Sequence, residues 1–446
     1  MSKKVWYQLS YTRIIALSFV VVILTGSILL SFPISAKGGQ VTPFADALFT
    51  ATSATCVTGL IVYDTFTYWS TFGQIVILLM IQIGGIGLMT IITMMAVFLK
   101  RKISLHERMI LMQSSGNMRM SGVVKLIKRI ICGTFLIEGI GALILFLRFR
   151  KEMGIGQGIY YGIFHAVSAF CNAGFDLMGQ YQKFSSLTAY ETDIVVNLVI
   201  MSLIVIGGIG FWVWNDILIH GIHYKEYSLH TRIVLVTTTI LILAGALGYY
   251  IMEQSTMGNL QIGEKWLSCF FMSVTTRTAG FNTRELGTLS QAGQLLTLIL
   301  MFIGGSPGST AGGVKTTTIA VIFIMIVSMS KRKGNVELFK RRLEHNQIKE
   351  ACAIMIIYLT GVLAAAMMIC TAEQASLGEV LFETVSAVGT VGLSMGITGG
   401  LGVFSKIILI ILMFSGRIGA LSFLMVLGER KVEAPIKRPV EKILIG

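Results

Sequence analysis

Four times in this chain a phenylalanine stands ten residues before a glycine that is itself followed by Leu or Phe. The sets are Phe49/Gly59/Leu60, Phe164/Gly174/Phe175, Phe270/Gly280/Phe281 and Phe382/Gly392/Leu393. Six positions before the glycine the residue is Ser53, Ser168, Val274 and Ser386 in turn. The copies recur roughly every 110 residues, whereas solenoid repeats run about 20–50 residues. Such a period holds two membrane-crossing helices with a loop between them. A chain built this way has to bring four similar units around a common centre or string them out side by side.

Composition says what surrounds those units. Of the 446 residues, 54% are hydrophobic and only 13% charged, and mean hydropathy is +0.77. Soluble domains carry about 25% charged residues, so much of this surface must face lipid. Apolar runs of the required length, about 18 residues or more, include Ile14–Phe32, Gly73–Leu99, Ile194–Trp214, Ile233–Ile251 and Ala351–Ala372. The net charge of +14 is read as a membrane-topology signal and not as a nucleic-acid footprint. The six cysteines lie in or beside apolar segments without CxxC or His pairing, so neither a zinc site nor a disulfide framework is suggested and most read as buried small hydrophobes. Lys3, Lys4 and Arg13 precede the first apolar run. That run is longer than the about 7–15 residues of a signal-peptide core, so it is expected to be a retained first helix.

The expected fold is an all-α polytopic membrane protein in four repeats: 1–102, 103–222, 223–346 and 347–446. Each repeat reads as outer helix, short pore helix, loop and inner helix. In repeat one these are Arg13–Phe32, Phe44–Ala54, TCVTGL and Thr71–Leu99, with Thr42-Pro43 opening the short helix. Repeat two uses Val123–Leu147, Gly158–Ala169, CNAGF and Thr192–Ile219. Repeat three uses Thr231–Met252, Glu264–Thr275, TRTAGF and Gly293–Ser330, and repeat four Ile348–Thr371, Leu377–Val388, GTVGL and Phe404–Leu427. The sum is eight spans and four re-entrant hairpins. Lys and Arg concentrate between repeats, from Lys100-Arg101-Lys102 to Arg129, at Lys225 and Arg232, from Lys331 to Lys349, and in the tail from Arg430 to Lys442. The positive-inside rule then puts both termini and every inter-repeat joint in the cytoplasm and opens the glycine loops to the outside.

Non-helical backbone at membrane depth survives only when buried in protein or lining a wet cavity. Four such loops in register suggest a ring of inward carbonyls that replace an ion's water shell. The glycines supply backbone angles that a Cβ resists, and the preceding short helices aim their partially negative ends at the centre. The candidate filter comprises Cys56, Val57, Thr58 and Gly59; Cys171, Asn172, Ala173 and Gly174; Arg277, Thr278, Ala279 and Gly280; and Gly389, Thr390, Val391 and Gly392. None is acidic, which suits a dehydrated monovalent cation better than calcium. A lone glycine of this kind is equally well a small-residue helix contact; four matched copies favour the ring.

These loops resemble those of the superfamily of bacterial Trk and Ktr and plant HKT potassium transporters. The resemblance covers nearly the whole chain, and the length, short N-terminus and KILIG tail are similar to the membrane subunit of a Ktr system. It implies four repeats around one pore and, with glycine at all four filter positions, a preference for potassium. Cys56 departs from the threonine often found there, but its carbonyl is unaffected. The resemblance further implies a homodimer with one pore per chain, in the bacterial plasma membrane, working with a separate cytoplasmic nucleotide-binding ring protein. The basic joint Lys331–Lys349 is a docking surface for that ring or a topology signal only.

The inner helices match a second time: Gly84-Gly85-Ile86-Gly87, Gly207-Gly208-Ile209-Gly210 and Gly416-Arg417-Ile418-Gly419. Repeat three expands this into Gly304, Gly305, Ser306, Pro307, Gly308, Ser309, Thr310, Ala311, Gly312, Gly313, Val314, Lys315 and Thr316. Pro307 breaks the helix, so an irregular pore-facing segment is expected at 304–316. By resemblance to the intramembrane loop of Trk and Ktr proteins it is the gate. Arg417 and Gly305 lie equally far after their own filter glycines, so Arg417 is level with that loop. It is either a barrier to cations or a structural donor to loop carbonyls, and both roles are compatible. Lys315 is expected to snorkel towards the cytoplasm. Asp46 reads as a helix-dipole partner in its first turn, His165 and Glu383 as hydrogen-bonding braces of the filter, and Glu138 as half of a buried structural pair or a proton relay.

The leading function is therefore gated potassium conduction. Coupled symport with sodium or protons remains open, with sodium as an activating or coupled ion. A membrane enzyme or scaffold is the reading from another class, but HExxH, GxSxG and Walker patterns are missing and no cofactor is implied for this chain.

Overall fold

The computed structural model describes residues 11–87, 90, 109, 123–258, 260–332, 334–419, 423 and 441. The segment expected to carry the first inner helix on to Leu99, the basic run Lys100–Lys102, the last part of the fourth inner helix to Leu427 and the basic tail lie largely outside these residues. Repeat one contains α1 (Tyr11–Ser31), α2 (Phe44–Thr55) and α3 (Thr71–Ile86). Repeat two contains α4 (Val123–Phe170), α5 (Ile194–Gly208) and α6 (Phe211–His220). Repeat three contains α7 (Leu229–Met252), α8 (Ile262–Thr275), α9 (Gln291–Phe302) and α10 (Thr316–Ser330). A hairpin of β1 (Glu337–Leu338) and β2 (Arg341–Arg342) leads to α11 (His345–Ala372), α12 (Leu377–Gly389) and α13 (Val403–Ile418).

The outer helices show why an apolar sequence folds this way in lipid. On α1, Leu17, Val21, Leu24 and Ile28 form an exposed stripe, and on α11 Ile356, Leu359, Leu363 and Met367 do the same. Matching stripes run along α4 (Leu136, Ile140, Leu143, Leu147) and α7 (Ile240, Leu243, Leu247, Ile251). Three- and four-residue spacing places each set on one helix face. Water would penalise such faces and acyl chains do not. The opposite face of α1, with Ala16, Phe19, Ile23, Ser27 and Leu30, is buried against the protein.

By length and composition Thr12–Ser31, Val124–Phe170, Leu229–Met252 and His345–Ala372 can cross a membrane, and α5 with α6 forms a further pair bent by 94°. The first and second helices of repeat two are one element, α4, reversed at Gly154, where φ is +79°. Its two arms pack tightly: a Cβ on Gly162 would lie 2.7 Å from the Ala142 carbonyl oxygen.

The inner helices depart from the continuous spans expected for repeats one, two and four. Helix α3 ends at Gly87 (φ +88°), α5 stops before Gly210 (φ +98°) and α13 ends at Gly419 (φ +97°). The last glycine of each GGIG or GRIG frame takes a left-handed angle that a residue with a Cβ resists, so the helical ladder stops there. The first glycine of each frame has a different task. A Cβ on Gly84, Gly207 or Gly416 would collide with the carbonyl oxygen of Thr55, Phe170 or Val388, each near the end of the short helix before that repeat's glycine loop. Small residues there let the two helices touch backbone to backbone.

Candidate functional site

The four short helices point their C-terminal ends at one place, and the loops that follow close a ring. A Cβ built on Gly59 would sit 2.5 Å from the carbonyl oxygen of Ala173, and one on Gly174 would sit 2.7 Å from that of Ala279. A Cβ on Gly280 would strike the Val391 carbonyl, and one on Gly392 the Thr58 carbonyl. Each glycine thus abuts the residue preceding the next glycine, in the order 59, 174, 280, 392 and back to 59. All four have positive φ, between +68° and +92°. Two positions earlier in every loop, Val57, Asn172, Thr278 and Thr390 also take positive φ, a strained feature that composition does not reveal.

Local hydrogen bonds fix these loops to their helices. The amides of Thr58, Ala173 and Val391 donate to the carbonyls of Ser53, Ser168 and Ser386 at 2.8, 2.8 and 2.9 Å. The Gly59 and Gly392 amides donate to the Ser53 and Ser386 hydroxyls at 3.1 and 3.0 Å. Repeat three is shifted by one residue. Helix α8 buries Phe271 while Phe270 is only half-buried, and Thr275 accepts the Ala279 amide at 2.9 Å. Thr275 therefore stands where Val274 was matched to serine, and its hydroxyl bonds the Phe281 carbonyl. Counted from that residue, the stretch to the glycine is one residue shorter in repeat three than in the other repeats.

Above the ring, His165 and Glu383 grip equivalent positions. His165 Nε2 accepts the Leu177 amide at 3.3 Å while Nδ1 donates to the Tyr161 carbonyl at 2.8 Å. Glu383 accepts the Met395 amide at 3.2 Å, the Thr398 hydroxyl at 2.8 Å and the Ser394 hydroxyl. A cavity of about 330 Å³ opens over all four glycines.

Asp46 has a partner that its place in a first turn does not predict. Its carboxylate pairs with Lys406 of α13 at 2.7 Å and accepts the Tyr63 hydroxyl at 2.7 Å. The dipole explanation is thus incomplete, and the buried pair joins repeat one to repeat four. Glu138 accepts Gln82 Nε2 at 3.1 and 3.0 Å on its two oxygens, with the Cys171 thiol 3.9 Å from one of them.

Between α9 and α10 the chain is irregular from Ile303 to Lys315, around Pro307. The loop folds against the broken inner helix of repeat two: the Ser306 and Thr310 amides donate to the Gly208 and Gly207 carbonyls at 3.0 and 3.3 Å, and the Phe211 amide to the Gly308 carbonyl at 2.8 Å. Asn172, a loop residue of the ring, donates to the Thr310 hydroxyl at 2.8 Å. Gly312 and Gly313 lie against Thr390 and Gly389. Arg417 donates to the Thr310 carbonyl, to the Gly84 carbonyl and, at 3.1 Å, to the Gly85 carbonyl. Lys315 does not snorkel outwards; its ammonium turns back to the Ala311 carbonyl at 2.8 Å. Arg277 is buried in the third glycine loop, and its Nε has no hydrogen-bond partner among the described residues.

Comparison with known proteins places this geometry in a family. A family model described as TrkH, cation transport protein, matches residues 8–433. The chain is 39% identical to the potassium/sodium uptake protein NtpJ of Enterococcus hirae, over 100% of this chain and 99% of that one. It is 38% identical to the Ktr system potassium uptake protein B of Bacillus subtilis, over 99% and 98%. The crystal structure of the potassium transporter TrkH from Vibrio parahaemolyticus superposes with a TM-score of 0.76, at 17% identity, covering 94% of this chain and 86% of that one. On the family match and the full-length relatives, the chain belongs to the TrkH family of cation transport proteins, a family of transporters and not of enzymes.

Proposed function

We propose that this chain takes up potassium across the bacterial plasma membrane through a gated pore, with the four filter loops selecting the ion. The observation that carries the reading is the closed ring in which Gly59, Gly174, Gly280 and Gly392 each meet the next loop's carbonyl. With no space for a side chain, main-chain oxygens are the groups left to meet an ion, and carbonyls can stand in for its hydration shell. The eight-span, four-hairpin arrangement and cytoplasmic termini belong to the same proposal.

In this reading the segment Gly304–Lys315 lies across the pathway below the ring, and Arg417 raises a positive barrier there. Holding that arginine on three carbonyls offsets part of the cost of a charge at membrane depth, about 2.5–3.5 kcal/mol on insertion scales. Displacing the loop removes the Thr310 acceptor and changes the barrier. Regulation would come from a cytoplasmic nucleotide-binding ring protein bound to a homodimer of this chain. The Ktr name of a relative and the exposed Arg341 and Arg342 of the hairpin support that part.

The decisive test is radiotracer rubidium uptake into proteoliposomes holding the purified chain. Uptake dissipating a rubidium gradient without sodium supports a pore. Uptake only when a sodium or proton gradient drives it would replace the pore with a symporter. The sodium arm is specifically motivated by the relative named for potassium and sodium uptake.

A further inference from the structure

Past each glycine of the ring, the chain shows one buried and one half-buried residue. Leu60, Phe175, Phe281 and Leu393 are buried. Ile61, Asp176, Asn282 and Ser394, one position further on, are half-buried and line the cavity above the ring. The backbone keeps its fourfold register while the chemistry does not: the mouth presents one alkyl group, one carboxylate, one amide and one hydroxyl.

Two of the polar groups are engaged elsewhere. Ser394 donates its hydroxyl to Glu383, and the Asn282 amide nitrogen donates to the Arg284 carbonyl at 3.0 Å. Asp176 accepts the Met178 amide at 2.9 Å and is also hydrogen-bonded by the Ser186 side chain, contacts that hold the carboxylate beside the mouth. The nearby Asp64 is spent on backbone: its oxygens accept the Thr67 and Phe184 amides at 2.7 and 3.0 Å. Lys183 and Glu285 also line the cavity, but both are exposed and opposite in sign, so water and salt screen them. Asp176 is left as the carboxylate set back from solvent in the cavity wall, two residues from the ring.

We propose that this cavity is an outer cation-binding site centred on Asp176, which takes a partly hydrated monovalent cation before it enters the glycine ring. The site rests on the pore reading above. One carboxylate set back in the wall, with Asp64 engaged by backbone amides and Glu285 on the exposed rim, suits a monovalent ion, since calcium takes six to eight oxygens and commonly several carboxylates. Low-dielectric walls focus the field of a single charge and raise the local cation concentration. A single charge also leaves the ion free to move on, as conduction requires.

The test is rubidium uptake into proteoliposomes at low ionic strength, comparing wild type, Asp176→Asn and Asp176→Glu at matched protein content. For Asp176→Asn the apparent KM rises at least about threefold, in line with electrostatic focusing, while the rate at saturating rubidium falls less than twofold. Choline chloride shrinks the difference, and Asp176→Glu recovers most of the wild-type KM. Glu285→Gln, on the exposed rim, changes KM less than Asp176→Asn. An unchanged KM, or a loss of maximal rate alone, overturns the outer site even though the wild type transports. A wild type that takes up no rubidium overturns the pore reading itself and the site with it.

Discussion

The glycine ring and the loop at 303–315 lie against each other, at Gly312 on Thr390 and Gly313 on Gly389, yet they are held in opposite ways. The ring is a repeated object. Each loop is tied to the end of its own short helix by backbone bonds and abuts a neighbour that is tied in the same manner. Its glycines leave no room for a side chain between neighbours. The loop occurs once and has no helix of its own. It borrows carbonyls from Gly207, Gly208 and Gly416, a side chain from Asn172 and a guanidinium from Arg417. Repetition makes the first rigid; dependence on other segments makes the second able to change partners. In the proposed pore, selection belongs to the rigid part and control to the borrowed one.

That contrast can be broken or sharpened by substitution, beginning with the ring's closure. Lys406→Met leaves the buried Asp46 carboxylate without its cation, and breaking such a pair costs about 3–5 kcal/mol. Thermal unfolding in detergent is expected to show a large fall in Tm, much of it recovered by adding Asp46→Asn. An unchanged Tm would mean that repeats one and four are not joined through this pair. Phe271→Ala should cost about 3–5 kcal/mol, the usual range for a buried phenylalanine, and Phe270→Ala clearly less. Equal losses would remove the one-residue shift in repeat three.

The hydroxyl braces give a smaller effect. Ser53→Ala leaves the Gly59 amide unpaired at about 1–3 kcal/mol, while Ser168→Ala, whose hydroxyl lacks a partner among the described residues, stays within about 0.5 kcal/mol. On the loop side, deleting Gly305–Gly313 is expected to raise rubidium flux about tenfold, equivalent to about 1.4 kcal/mol of barrier, with the rubidium-to-sodium ratio unchanged. Loss of transport with the protein still folded would instead make the loop part of the pore's support.

Much of this was legible in the residues. Phe49, Phe164 and Phe382 mark the repeats because each is a large side chain buried at the same depth, and Pro307 announces an irregular segment because it cannot continue a helix. The breaks at Gly87, Gly210 and Gly419 were not, since a glycine in an apolar run reads the same whether it packs closely or turns the chain. Repeat three was misaligned by one position because phenylalanines stand at both 270 and 271 and the glycine was taken as the fixed point. The Asp46–Lys406 pair joins opposite ends of the chain, and no local pattern in one sequence encodes such a partnership. The left-handed residues at 57, 172, 278 and 390 are Val, Asn, Thr and Thr, a set with no one signature, because ring closure imposes the angle.

The central claim is that the backbone of the glycine ring discriminates between monovalent cations. Gly59 is the place to test it, with φ at +92° and the Ala173 carbonyl oxygen 2.5 Å from where a Cβ would stand. The measurement is the ratio of rubidium to sodium uptake in proteoliposomes for wild type and Gly59→Ser. The account predicts a wild type that favours rubidium and a variant whose ratio falls at least about tenfold, a change of about 1.4 kcal/mol, through admission of sodium. An unaltered ratio in a folded, transporting variant would contradict it.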